Sequence, residues 1–93
     1  MFVHMSLHYP RRGQEQSIIA SMKRYAAVMK GKPGHRWAHI LRDAKTGKLI
    51  GMGFWDSHAD WEKAHPDLEA VVKDDPFHEW EEMPPKVYHL EEV

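Results

Sequence analysis

The sequence predicts an α+β chain of ferredoxin-like type. This is a split βαβ arrangement in which helices cover one face of a four-stranded antiparallel sheet. Three observations lead there. The hydrophobic period switches along the chain in the order strand, helix, strand, strand, helix, strand. Glycine and proline punctuate the switches, at Pro10, Gly13, Gly31, Pro33-Gly34, Gly47 and Pro84-Pro85. The first and third strands carry large apolar groups on both faces, so helices on one side leave an apolar sheet face uncovered. Residues 1–93 form a single domain, with no repeat, low-complexity stretch or linker.

Phe2 to Tyr9 is the first strand, ended by Pro10 and Gly13. Val3, Met5, Leu7 and Tyr9 share one face and are expected to be its core side; Phe2, His4, Ser6 and His8 share the other. Gln14 to Lys30 is helical, with Ile18, Met22, Tyr25 and Met29 on one packing stripe and Gly31 as the stop. Strand two runs from about His35 to Arg42, and Asp43 to Gly47 turns the chain into strand three, Lys48 to Trp55. That strand alternates Ile50, Met52 and Phe54 with Gly51, Gly53 and Trp55. Its two glycines mark a close approach, for which backbone packing is favoured over a ligand. Asp56 or Ser57 caps the next helix, and Pro66 is expected to break it after His65, with a further helical piece to Lys73. Asp75 caps a short helix that Pro76 opens, and Lys86 to Val93 is the last strand.

Composition excludes several classes of chemistry. Without cysteine there is no thiol nucleophile, zinc–thiolate site or disulfide. Thirteen Lys and Arg against fourteen Asp and Glu give no field to recruit nucleic acid, and the Arg11-Arg12 and Lys30–Lys32 clusters read as solvated loop charge. The acidic C-terminal third, Glu79, Glu81, Glu82, Glu91 and Glu92, reads as a solvated face. No run is long and apolar enough to span a bilayer, and the N-terminus lacks a signal-peptide pattern, so the expected location is cytoplasmic, with no membrane partner. A chain of this length buries only roughly 60–65% of its unfolded surface and is marginal alone, and a second copy is the economical cover for the open sheet face.

Four features carry a family resemblance: Tyr9-Pro10 before Gly13, Pro33-Gly34 before strand two, Phe54-Trp55-Asp56-Ser57 with His65 downstream, and Pro76-Phe77. On these the chain resembles, over nearly its whole length, the antibiotic-biosynthesis-monooxygenase-like branch of the dimeric α+β barrels. The resemblance implies a homodimer whose sheets form a barrel, with a pocket in the lumen or between each sheet and its helices. It implies activities that include cofactor-free oxygenation of quinol-like or polyketide aromatics, and haem degradation. Haem-degrading members use an asparagine on strand one, a tryptophan in the second long helix and a histidine slightly later. Ser6, Ala64 and Glu81 stand nearest those places here, which disfavours haem degradation.

Eight histidines are the main chemical feature, since imidazole exchanges protons near neutral pH. His4 and His8, like His35 and His39, lie roughly 13 Å apart along a strand, too far to chelate one metal. A metal would need a cross-strand partner such as His89, and no metal-ligand spacing is present, so no metal is expected. The resemblance points the His4, Ser6 and His8 face toward the barrel interior. There His8 or His4 is the expected base for a phenol or enol, and Ser6 a donor to an oxyanion. Trp55, Trp37 and Trp61 are candidate substrate walls, with His65 and His89 as further contacts; for Trp61 and Trp80 packing on the sheet is the commoner role. The competing reading is that these histidines are interface residues bonded to backbone or water. Ser-His nucleophilic catalysis finds no Gly-x-Ser-x-Gly elbow to support it. The sequence therefore suggests a cofactor-independent monooxygenase of small electron-rich aromatics. The alternatives are a non-catalytic dimer that binds a small aromatic or apolar ligand, and an isomerase of the same barrel type.

Overall fold

The computed structural model describes residues 1–93. The elements are β1 (Phe2–His8), α1 (Glu15–Met29), β2 (His35–Arg42), β3 (Leu49–Trp55), α2 (His58–Val72), α3 (Phe77–Trp80) and β4 (Lys86–Glu91). The strands form one antiparallel sheet in the order β2-β3-β1-β4. The helices pack on one of its faces, giving the ferredoxin-like α+β arrangement the sequence predicts.

Local chemistry accounts for most element ends. The Gly31 residue that follows α1 takes φ +88°, and Gly47 in the β2–β3 hairpin takes φ +77°, conformations open to glycine at little cost. Ser57 caps α2, its hydroxyl oxygen accepting from the Asp60 N–H at 3.2 Å. Two expectations fail. Pro66 does not break α2, which runs unbroken through it. Pro66 lies on the exposed side of the helix, so water can take the carbonyl its ring leaves unpaired. Trp61, Ala64 and Leu68, on the other side, are buried both before and after it and hold the helix to the sheet. Nor does Asp75 cap α3. Its carboxylate instead accepts from Ser21 Oγ and Arg24 Nη2, each at 2.6 Å, and ties the α2–α3 connection to α1.

The core has two clusters on the helix side of the sheet. One joins Phe2, Met29, Trp55, Trp61, Ala64 and Leu68; the other joins Ile18, Met22 and Leu49. Phe2 and His8 of β1 are both buried, opposite Trp55 and Leu49 of β3. The helix-facing side of β1 is therefore Phe2, His4, Ser6 and His8, and the expectation that Val3, Met5, Leu7 and Tyr9 form the core side is reversed. Counting apolar residues misleads here because His4, Ser6 and His8 find polar or aromatic partners under the helices. It follows that this face does not point toward a barrel interior, which would lie on the helix-free side.

That helix-free side carries Val3, Met5 and Leu7 with Ile50, Met52 and Phe54, and beside them Trp37, Leu41, Tyr88 and Leu90, all four exposed. Trp37 reaches it through a β-bulge. Register shifts between His35, paired with Trp55, and Trp37, paired with Phe54. Without the shift, alternation would put Trp37 on the same side as His35.

Candidate functional site

A cavity of about 140 Å³ lies between the sheet and α1, and Val72 of α2 and Phe77 of α3 add to its lining. Its roof is the α1 stripe of Met22, Tyr25 and Met29, which serves as core and cavity wall at once. Its floor depends on the two glycines of β3. A Cβ on Gly51 would stand 2.9 Å from Ser6 Oγ and 3.0 Å from Met22 Cε. One on Gly53 would stand 2.8 Å from Met29 Sδ. The close approach at these glycines is thus by side chains bordering a cavity, not by the neighbouring backbone that the sequence favoured.

His4, Ser6 and His8 line this cavity from β1. Ser6 and His8 are two residues apart, so strand alternation puts them on one face. The His8 ring is held at both nitrogens. Its Nδ1 lies 3.0 Å from Glu81 Oε2, and its Nε2 lies 3.0 Å from Ser6 Oγ. A carboxylate only accepts, so Nδ1 carries the proton and donates it to Glu81. Nε2 is then the acceptor, and the Ser6 hydroxyl donates to it. The second Glu81 oxygen accepts from the Tyr9 N–H at 2.8 Å. Glu81 is 3% exposed and His8 7%. The segment bearing Glu81 is pinned to the end of β1 by Glu82 N–H donating to Tyr9 O and Arg11 N–H donating to Trp80 O, each at 2.8 Å. Ser6, His8 and Glu81 form a hydroxyl–imidazole–carboxylate relay, with the hydroxyl at the cavity.

A second cluster centres on Trp61 of α2. His65 stacks on its indole at 4.5 Å between centroids, His4 at 5.0 Å and His58 at 5.7 Å, while His89 meets it edge-on at 4.6 Å. His89 lies directly across from His4 in the β1–β4 register, the cross-strand partner the sequence pointed to. No three His, Asp or Glu side chains converge with metal-binding spacing. Burial, reinforced by the nearby His89 and His65, pushes the His4 imidazole down to about 4. Its buried Nδ1 has no hydrogen-bonding partner. Burial likewise pushes the Tyr25 phenol up to about 12. At neutral pH the cavity thus presents a neutral imidazole and a neutral phenol.

The structure brings together His8, His4 and Ser6 at one cavity, but not the expected aromatic walls. Trp37 is 46% exposed on the helix-free face. Trp55 is 0% exposed and packs in the core beside Gly53. Trp61, His65 and His89 form the adjoining cluster rather than lining the cavity. Glu81 is the residue that sequence reasoning missed. Its place in an acidic run predicts a solvated side chain, yet it is 3% exposed with both its oxygens bonded. The Ser-x-His spacing on a strand was the available signal for half the relay. Nothing local signals a carboxylate 73 residues away.

No protein-family model matches the chain, and no curated protein matches it. Solved structures do match its fold. Rv0793 from Mycobacterium tuberculosis superposes with a TM-score of 0.84 at 15% identity, covering 99% of this chain and 94% of that one. A protein described as an antibiotic biosynthesis monooxygenase gives 0.78 at 10% identity, covering 100% and 99%. A variant of SnoaB, described as a cofactor-independent oxygenase from Streptomyces nogalater, gives 0.75 at 15% identity, covering 98% and 92%. At these identities the likeness is one of fold, a fold shared with proteins described as an antibiotic biosynthesis monooxygenase and a cofactor-independent oxygenase.

The His4 environment predicts a pH-dependent stability. Its imidazole titrates near 6.5 in the unfolded chain and near 4 in the folded one, so between these values the unfolded chain binds more protons. The stabilising effect of His4 is whole above pH 6.5 and is lost as pH falls through 4. Denaturant unfolding at pH 7.5 and pH 4 should show about 2–3 kcal/mol of acid destabilisation that a His4→Phe variant lacks. Equal acid destabilisation in both proteins would contradict this environment.

Proposed function

We propose that this chain, which has the fold of antibiotic biosynthesis monooxygenases, is a cofactor-independent oxygenase of small electron-rich aromatics, with His8 as its base. The observation that carries this reading is the His8–Glu81 pair set against a cavity. Glu81 fixes the proton on Nδ1 and leaves Nε2 basic, and it stabilises the imidazolium that forms when Nε2 takes a proton. Because Ser6 lies between Nε2 and the cavity, the Ser6 hydroxyl relays: it accepts the substrate proton as it gives its own to His8.

The reaction is then written with dioxygen as oxidant. Loss of a proton from a quinol or enolised ring gives an electron-rich anion that passes one electron to dioxygen. The radical pair combines into a hydroperoxide, which eliminates water to leave a new carbonyl oxygen on the ring. One oxygen atom enters the product and the other leaves as water, so a simple quinol and one dioxygen give a hydroxyquinone and one water. The neutral His4 and Tyr25 side chains keep the cavity free of fixed charge that would hold a hydrated ion there.

Cavity size narrows the substrate. An apolar cavity of ~150 Å³ accommodates benzene, so about 140 Å³ suits one aromatic ring, and a polycyclic substrate would have to protrude. That size also argues against haem. So do Ala64, which packs in the core, and Glu81, which is engaged by His8 and Tyr9. The same base would serve an isomerase, and the two differ in whether oxygen is consumed.

The helix-free sheet face supports pairing with a second copy. Its exposed Trp37, Leu41, Tyr88 and Leu90 adjoin an apolar strip across β1 and β3. Light scattering should give the mass of two chains, and Met52→Asp with Phe54→Asp should give the mass of one. A wild-type protein that stays monomeric at high concentration would end this part of the reading.

Dissolved-oxygen uptake with monocyclic quinols tests the activity. His8→Ala should lower kcat/KM by roughly 10²–10⁴-fold. Uptake that His8→Ala leaves intact would reject His8 as base. Solvent-deuterium incorporation without oxygen uptake would replace the oxygenase with an isomerase.

A further inference from the structure

A base acting directly on substrate would present Nε2 to the cavity. Here Nε2 is covered by the Ser6 hydroxyl at 3.0 Å, so the first group that His8 can activate is Ser6 itself. The other requirements of an activated serine are also present. The imidazole is oriented at Nδ1 by a buried carboxylate at 3.0 Å. That carboxylate is fixed in turn by the Tyr9 N–H at 2.8 Å. Ser6 borders the cavity, and β3 has a glycine opposite it whose Cβ would stand 2.9 Å from Ser6 Oγ. Such constellations are recognised by geometry and roles, not by sequence position.

We propose that Ser6 is a nucleophile, activated by His8 and Glu81, and that the cavity supports acyl transfer from small esters with an acyl or aryl group of one-ring size. Ser6 Oγ bonds to the ester carbonyl carbon while its proton passes to His8 Nε2. The tetrahedral adduct collapses, the carbon–oxygen bond to the leaving alcohol breaks, and that alcohol takes the proton from Nε2. Water then attacks the acyl-serine by the same route, giving the acid and restoring Ser6; the sum is ester plus water to acid plus alcohol. His4, two residues before Ser6 on the same strand face, also lines the cavity, and its enclosed Nδ1 has no partner in the protein. This activity does not depend on the oxygenase reading, since it needs neither dioxygen nor an oxidisable ring.

The test uses a small alkyl fluorophosphonate and p-nitrophenyl acetate on the full chain. Intact mass should show one phosphonyl adduct per chain, mapped to Ser6. The adduct should be absent in Ser6→Ala and formed roughly 10²–10⁴-fold more slowly in His8→Ala. Gly51→Ala keeps Ser6 and His8 but crowds Oγ, and should slow labelling while the circular dichroism stays that of the parent. Hydrolysis of p-nitrophenyl acetate should show a burst of one equivalent that Ser6→Ala loses. An adduct on His8 or a lysine, no adduct on folded protein, or equal ester hydrolysis by the parent and Ser6→Ala would each overturn the proposal.

Discussion

The contact between Glu81 and His8 is the one on which the site depends. A carboxylate taken out of water costs several kcal/mol unless its oxygens are bonded, and removing one partner of such a pair is strongly destabilising. Glu81 meets that demand with the His8 imidazole and the Tyr9 N–H. The bonds that satisfy it also hold the segment after α3 against the end of β1. Phe77 is thereby kept at the cavity wall, its ring centroid 5.9 Å from that of His8. Asp75 secures the same segment from the other side through Ser21 and Arg24. The short stretch from Asp75 to Glu81 thus both adds Phe77 to the cavity lining and supplies the group that orients its base.

The sheet contributes by leaving side chains out. Gly51 and Gly53 weaken a central strand, since glycine loses more freedom on folding than any other residue and offers nothing to pack. Their positions are where Ser6 Oγ, Met22 and Met29 come closest to the β3 backbone. The strand accepts this cost and gains room beside Ser6. Methionine suits the opposite wall, because its unbranched thioether adapts to irregular space. The adjoining cluster follows a different principle. Trp61 is walled by His4, His58, His65 and His89, whose rings pack like apolar groups when neutral. Burial that holds His4 neutral is therefore part of the packing as well as of the chemistry.

The element order was legible because period and punctuation agree along the chain, and consistency across levels is what specifies a fold. The Ser57 cap, the Gly47 turn and the Ile18–Met22–Met29 stripe were all readable locally. What was not legible depended on distant partners. Pro66 breaks helices in general, but burial of Trp61, Ala64 and Leu68 on either side overrides it. The faces of β1 were reversed because the polarity of His4, Ser6 and His8 argued for the wet side until their partners on other elements were known. A single-residue bulge moved Trp37 to the other face, and no local pattern announces it. Ser6 and His8 were identified from their shared strand face. Glu81 was not, because its burial is set by the residues it meets, not by the acidic run it belongs to.

Glu81 holds His8 as the Nδ1–H tautomer, with Nε2 accepting from Ser6. Nitrogen-15 NMR of the histidine rings tests it most directly. At pH 7.5 His8 should show a protonated Nδ1 and an unprotonated Nε2, with a slowly exchanging, far-downfield Nδ1 proton that disappears in Glu81→Gln. A His8 ring in the Nε2–H form, or in fast tautomeric exchange that Glu81→Gln leaves unchanged, would show that Glu81 does not set the tautomer.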